Sequence, residues 1–263
     1  MPIEPDKVIS LYDGKINIGY WDNRHRYSLI VNGKPERTWL LSVTAATGMI
    51  DKSRQLIIWA TRLAKDHLLN RIDDIKSLPP SSVIELIETA CNLHNVKREE
   101  AATKGSMVHE YIEKYIKGEK PDLPDDENVA ASINAFLEWE KAHEVKWKAT
   151  EQIVYSKKHS YVGLFDALAV IDRKTVLIDF KTSKGVYNDY KYQISAYRHA
   201  YEEETGKKLS GNSMIVRFDK ETAEFEVHEC TDHDKDFKAF LGALAIKVRE
   251  KELDKEWREA NKK

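Results

Sequence analysis

Asp179 and Lys181 stand two apart in the run Val176-Leu177-Ile178-Asp179-Phe180-Lys181. Read as a strand, that spacing projects a carboxylate and an ammonium from one face. A second apolar run, Tyr161 to Ile171, precedes it and carries Asp166. If the joining hairpin is centred on Asp172-Arg173, Asp166 and Asp179 are equidistant from the turn and face each other. Their Cβ atoms would then be about 4.5–5.5 Å apart. Two opposed carboxylates repel, so without a cation the pairing is destabilising. A bound divalent metal removes the conflict, and Lys181 adds a positive charge that could hold a water or a phosphate oxygen. The alternative is a solvated face, with Lys181 in a surface ion pair. Against it stand the apolar flanks: Leu177, Ile178 and Phe180 on one strand, and Leu164, Phe165, Ala167 and Leu168 on the other. Carboxylates set among such residues are seldom fully buried unless paired or metal-bound.

Two further spacings suit helices on either side of these strands. His109 and Glu113 are one turn apart, with Gly105 a turn earlier. A mid-helix glycine costs about 1 kcal/mol against alanine and suggests close approach of another element. Gln193 and Tyr197 are likewise one turn apart. Alone, each pair also fits ordinary surface or core positions.

The elements that must position these residues follow from periodicity. Residues 26 to 43 read as strand and turn, with Tyr27, Leu29 and Val31 alternating before Asn32-Gly33. A helix is predicted from about Ser53 to Arg71. Pro79-Pro80 breaks the chain, Ser81 and Ser82 cap a helix from Val83 to Leu93, and Asn95 caps another that runs through His109 and stops at Gly118. A further helix runs from Val129 to about His143. Strands follow from about Thr150, at Tyr161 to Ile171 and at Val176 to Lys181. Then come a helix over Asp189 to Glu204, strands at Ser213 to Phe218 and Thr222 to Glu229, and a charged helix over Asp236 to Asn261. That order is an α+β, or mixed α/β, domain with helices packed on a sheet. We read the 263 residues as one domain in three parts: a hairpin- and helix-rich part, 1–148, carrying His109; a sheet and helix, 149–230; and a C-terminal helix, 231–263.

Composition narrows the class. Hydrophobic residues are 41% and charged ones 33%, enough for a packed core under a highly charged surface. No apolar run approaches the roughly 20 residues of a membrane span, and Met1 to Ser10 has no apolar signal core, so a cytoplasmic protein is expected. Cys91 and Cys230 are isolated and read as free thiols. The net charge of −2 does not itself announce a nucleic-acid partner. Residues 52 to 76, however, carry six Lys/Arg against three Asp, and 181 to 201 carry four against one. Such patches could hold phosphates, or could be ordinary solvated surface.

Taken in order, the motifs resemble the RecB-like branch of the PD-(D/E)XK nucleases, among them phage-type and mitochondrial-type DNA exonucleases. They are Gly-x-x-x-His-x-x-x-Glu at 105–113, Glu151, Gly-x-x-Asp at 163–166, Asp-Phe-Lys-Thr at 179–182 and Gln-x-x-x-Tyr at 193–197. Leu41-Ser42-Val43-Thr44 followed by Trp59 is similar to the lead-in of the phage-type members. The resemblance covers roughly residues 25 to 230. It implies a restriction-endonuclease-like core, a mixed sheet flanked by helices, with an N-terminal helical elaboration. It implies that His109, Asp166, Asp179 and the carbonyl of Phe180 hold Mg2+ or Mn2+, and that Lys181 assists hydrolysis of a DNA phosphodiester. Glu151 and Glu113 would orient these groups. Gln193, Tyr197, Thr182 and Lys184 would support the site or touch DNA, Lys191 and Arg198 would track phosphates, and Tyr187, Tyr190 and Tyr192 could stack on bases. A recombination or helicase partner would suit that branch. An iron–sulfur cluster, which some members hold with four cysteines, is excluded by a chain with two. A restriction-type endonuclease and a non-catalytic DNA-binding module remain as alternatives.

Overall fold

The computed structural model describes residues 4–261. The chain forms two compact units, one built from the chain up to Ile50 and from His109 onward, the other from Asp51–Val108. In the larger unit, β1 (Lys7–Leu11), β2 (Ile16–Trp21), β3 (Arg26–Val31) and β4 (Lys34–Pro35) make an antiparallel sheet in that order. The expected turn at Asn32-Gly33 joins β3 to β4, both residues having positive φ. The hairpin of β1 and β2 has no counterpart in the sequence reading. Its turn, Tyr12-Asp13-Gly14, holds three successive positive-φ residues. Then come β5 (Leu41–Ser42) and α1 (Val43–Thr47).

The smaller unit holds α2 (Ser53–Leu69), α3 (Ile72–Ile75) and most of α4 (Pro80–Ile116). Two helices were expected where α4 runs unbroken. Asn95 does not cap a new helix, because its side chain donates to Asn92 Oδ1, one turn back, at 2.7 Å. With no Gly or Pro nearby, propagation adds a hydrogen bond per residue and nothing stops it. The helix starts at Pro80 because proline suits the first helical turn.

The rest of the larger unit is α5 (Glu127–Ala142), β6 (Lys146–Ser156), β7 (Tyr161–Ile171), β8 (Lys174–Lys181), α6 (Asn188–Thr205), β9 (Ser213–Phe218), β10 (Phe225–Cys230) and α7 (His233–Ala260). The fold is α+β with a mixed sheet. β6, β7 and β8 are successive antiparallel neighbours. α6 is the crossover that lets β9 lie parallel to β8, and β10 returns antiparallel to β9. The β7–β8 turn lies at Asp172 and Arg173, with φ of 48° and 63°, as a two-residue turn of that twist requires. α6 and α7 cover one face of the sheet, where Phe165, Leu177, Ile194, Tyr197 and Phe240 form the core. Phe136 of α5 packs against Phe180, Phe218 and Trp147. Among the described residues no helix is long and apolar enough to cross a membrane.

Candidate active site

The site lies where β7 changes partners. Along one edge β7 pairs with β6 from Tyr161 to Val170. Along the other it pairs with β8 only from Ala167 to Ile171, and with β5, in parallel, at Tyr161 and Val162. Residues 163 to 166 therefore face a gap between the end of one neighbour and the start of another. The alternation of side chains also changes there. Val154, Tyr161 and Phe165 share a core with Ala149, Leu168 and Leu177, although strict alternation would place the two groups on opposite faces. The switch falls at Glu151 and Asp166, and Glu151 has a φ of 50°. This corner explains why Asp166 has apolar neighbours on both sides.

The β7–β8 register is the one expected from the turn, but the ladder ends at Ala167 and Ile178, one pair short of Asp166 and Asp179. The Asp166 carboxylate replaces the missing rung. Its Oδ2 accepts from the Phe180 N–H at 2.6 Å, and its carbonyl accepts from the Thr150 hydroxyl at 2.9 Å. Asp179, 2% exposed, lies beside it. The Lys181 ammonium is 2.5 Å from Asp179 Oδ2, yet that buried oxygen receives no hydrogen bond of acceptable direction. Burial pushes the Asp179 carboxyl up, Lys181 opposes, and Asp166 pushes it further, so that it lies above the carboxylate range. Burial alone would lower Lys181, but Asp179 and Asp166 outweigh it and raise it.

Glu151 is half-buried across from Asp166. Burial, then the charges of Asp166 and Glu113, push its carboxyl up to about 7. Glu113 is ion-paired to Lys117 along the end of α4. The His109 ring meets Phe180 edge-on, its centroid 6.4 Å away, and its charge lowers Asp179. His109 is thus within electrostatic reach of the carboxylates. Among the described residues, no three His, Cys, Asp or Glu side chains converge on one point as a metal-holding group. The groups that converge are two carboxylates and an ammonium.

From α6, Gln193 Nε2 donates to the Tyr197 hydroxyl at 2.7 Å. Tyr197 lies directly on Gly163, where an added Cβ would come within 2.5 Å of its ring. The glycine therefore admits the tyrosine. A cavity of about 270 Å3 opens between Asp166, Asp179, Lys181, Gln193 and Tyr197 on one side and His25, Tyr27, Ser42 and Thr44 on the other. Ser42 caps α1, accepting from Ala45 N–H at 3.1 Å, and its hydroxyl lies 3.0 Å from that of Thr44. His25 and Tyr27 were not expected at the site. Their only signal was position, since the β3 strand was legible but the face it presents was not. Burial and then Glu151 push the Tyr27 hydroxyl up to about 12.

Other expected residues have partners of their own or stand close to Lys181. Arg198 does not face phosphates. Its guanidinium donates to the carbonyls of Gly211 and Leu209 at 2.7 and 2.8 Å and pairs with Glu202, binding α6 to the chain that follows. Lys191 stands near Asp236 of α7, and Lys184 pairs with Glu221 at 2.6 Å. Thr182 is half-buried just beyond Lys181. Tyr192 packs against the core, Tyr187 is 48% exposed, and Tyr190 lies under Lys181.

No family model matches this chain, and no curated protein does. Among solved structures it is similar to a candidate exonuclease from Eubacterium rectale, at 15% identity and a TM-score of 0.40, over 56% of this chain and 66% of that one. It is also similar to SSO0001, at 14% identity and a TM-score of 0.30, over 45% and 55%. The chain spans less than two thirds of either.

Proposed function

We propose that this chain is a metal-dependent DNA exonuclease of PD-(D/E)XK type that hydrolyses phosphodiester bonds from strand ends. Single-stranded DNA or DNA ends would be the substrate, in replication, recombination or repair. The observation that carries the reading is Asp179: a carboxylate 2% exposed, with an oxygen that receives no directed hydrogen bond, beside Asp166 and Lys181. Such an arrangement is unfavourable for folding alone and suits a cation-binding centre.

The donor set is chemically suited to Mg2+ or Mn2+: two carboxylates, a backbone carbonyl at Phe180 and one imidazole. Asp166, Asp179, the Phe180 carbonyl and His109 would hold the ion, which supplies charge for a phosphate oxygen and acidifies an attacking water. Asp166 already accepts from the Phe180 N–H, which ties its carboxylate to the strand that carries Asp179. Lys181 would hold the water and stabilise charge building on the phosphate. Glu151 would orient Lys181 or His109, while Gln193 and Tyr197 wall the cavity.

The test is digestion of end-labelled linear, nicked and covalently closed single-stranded DNA with Mg2+ or Mn2+ titrated in. Progressive loss of linear strands with closed circles intact is the expected result. Efficient cutting of circles would replace the exonuclease with an endonuclease, and no cutting of any substrate at any metal concentration would end the nuclease reading.

A further inference from the structure

Besides the nearby charge of Asp166, Lys181 has two direct partners for its ammonium. One is Asp179. The other is the face of the Tyr190 ring on α6, with the ammonium 5.1 Å from the ring centroid. An ammonium within about 6 Å of an aromatic centroid is attracted to the π face, and more strongly where water is scarce. Water is scarce here, since the Lys181 side chain is 17% exposed. Tyr187 meets Tyr190 at 74°, with centroids 5.4 Å apart.

We infer that Tyr190 is a positioning residue for Lys181, its ring face holding the ammonium beside the two carboxylates. The role this gives Lys181 rests on the nuclease reading above; the contact itself does not. The chemistry favours a ring over a carboxylate at this place. A divalent cation and an ammonium on the same carboxylate would repel each other, so with a cation bound Asp179 would hold Lys181 less firmly. A third acid would keep the lysine but would also compete for the cation. A π face attracts the ammonium without adding a formal negative charge. It also keeps the lysine charged and close, where an unanchored chain with four rotatable bonds would spread over many rotamers.

Two measurements test this. The first needs neither metal nor activity: a double-mutant cycle of Tyr190→Leu and Lys181→Met, read by urea unfolding in metal-free buffer. Coupling of about 2- to 30-fold in the unfolding constant is expected. A cycle that closes at a factor of one overturns the anchor. Where Tyr190→Leu does not fold, Tyr190→Phe and its ring-fluorinated phenylalanine counterpart replace it. They share a shape and differ in the charge on the face, so stability should fall with fluorination in the Lys181 chain and not in the Lys181→Met chain; equal falls overturn the proposal.

The second is single-turnover DNA cleavage with DNA binding measured in Ca2+. Tyr190→Phe should retain the rate, while Tyr190→Leu lowers it about tenfold and leaves affinity unchanged. Equal losses of rate and affinity would make Tyr190 a DNA contact and overturn the positioning role. Coupling in the cycle with no cleavage by the parent chain would sink the nuclease reading and leave the anchor standing. Cleavage by the parent without coupling would do the reverse.

Discussion

Two of the places where the larger unit buries charge are completed differently. Around Arg217, 5% exposed, the hydrogen bonds close. Its Nε donates to Glu226 at 2.8 Å, one terminal nitrogen to Glu224 at 3.1 Å, and the other to Asp219 at 3.3 Å and to the Ser183 carbonyl at 3.2 Å. Asp219 accepts in turn from the N–H groups of Glu221 and Thr222. Burial pushes the Asp219 carboxyl up, but those N–H groups and Arg217 outweigh it and hold it below its usual value. Around Asp179 the one close donor, the Lys181 ammonium 2.5 Å from Oδ2, meets no hydrogen-bond direction, and the carboxyl is raised. Both are buried acids, one in β8 and one just past the end of β9. The difference is whether the charged form has been fully supplied with directed donors. Where it has, the cluster is a strut; where it has not, capacity for a ligand remains.

The largest test of that contrast is Asp179→Asn. DNA cleavage should fall by about 10³-fold or more, since a metal contributes several kcal/mol of transition-state stabilisation. Activity near wild type at matched Mg2+ would remove Asp179 from the site. Two opposed carboxylates alone would make this variant more stable than the parent. The Lys181 ammonium, 2.5 Å away, opposes this, but the Asp179 carboxyl stays raised beside it, so the metal-free urea midpoint at neutral pH should rise.

Next comes Lys181→Ala, expected to lower the single-turnover rate about 10²–10³-fold while DNA affinity in Ca2+ changes little. Parallel losses in rate and affinity would make Lys181 a phosphate-binding residue instead. Lys181→Arg should not rescue, because a planar fork cannot replace a compact ammonium.

Arg217→Ala addresses the other half of the comparison. Removing the centre of a closed cluster leaves Asp219 buried without its cation, Glu224 and Glu226 being exposed, and should cost about 3–5 kcal/mol in urea unfolding. Cleavage per folded molecule should change less than in either site variant. If it fell as far, the bond from Arg217 to Ser183, two residues past Lys181, would belong to the site and not only to the fold.

The smallest effect concerns Glu151. Its carboxyl is raised from 4.5 to about 7, by burial first and then by Asp166 and Glu113. A raised folded pKa favours the protonated acid. Its contribution to stability is therefore fully present below about pH 4.5 and is lost as pH rises through about 7. Glu151→Gln should accordingly raise the metal-free urea midpoint at pH 8 and change it little at pH 4. An equal shift at both would mean that Glu151 is not desolvated beside Asp166.

How much of this was legible in the sequence depends on the range of the cause. The turn at Asp172-Arg173 and the register it imposes were read from spacing, because turn chemistry and strand alternation are local. So were α5, α6 and α7, and the grouping of Asp179 with Lys181. The single span of α4 was missed because Asn95 suits both a cap and a helix interior, and its bond to Asn92 decided between them. Arg198 was misplaced because a basic residue near a site is ambiguous until the carbonyls that receive it are known.

The amino-acid sequence by itself determined which residues could do chemistry and on which strands they lie. Only the tertiary structure decided that β7 leaves β8 for β5, that Glu151 and Asp166 turn the corner there, and that Tyr27 of β3 and His25 just before it wall the cavity. It also placed Tyr190 under Lys181 and Tyr197 on Gly163. Each of these is a contact between segments distant in the chain, settled by which surfaces bury each other, and residue spacing encodes only what neighbours along the backbone can reach.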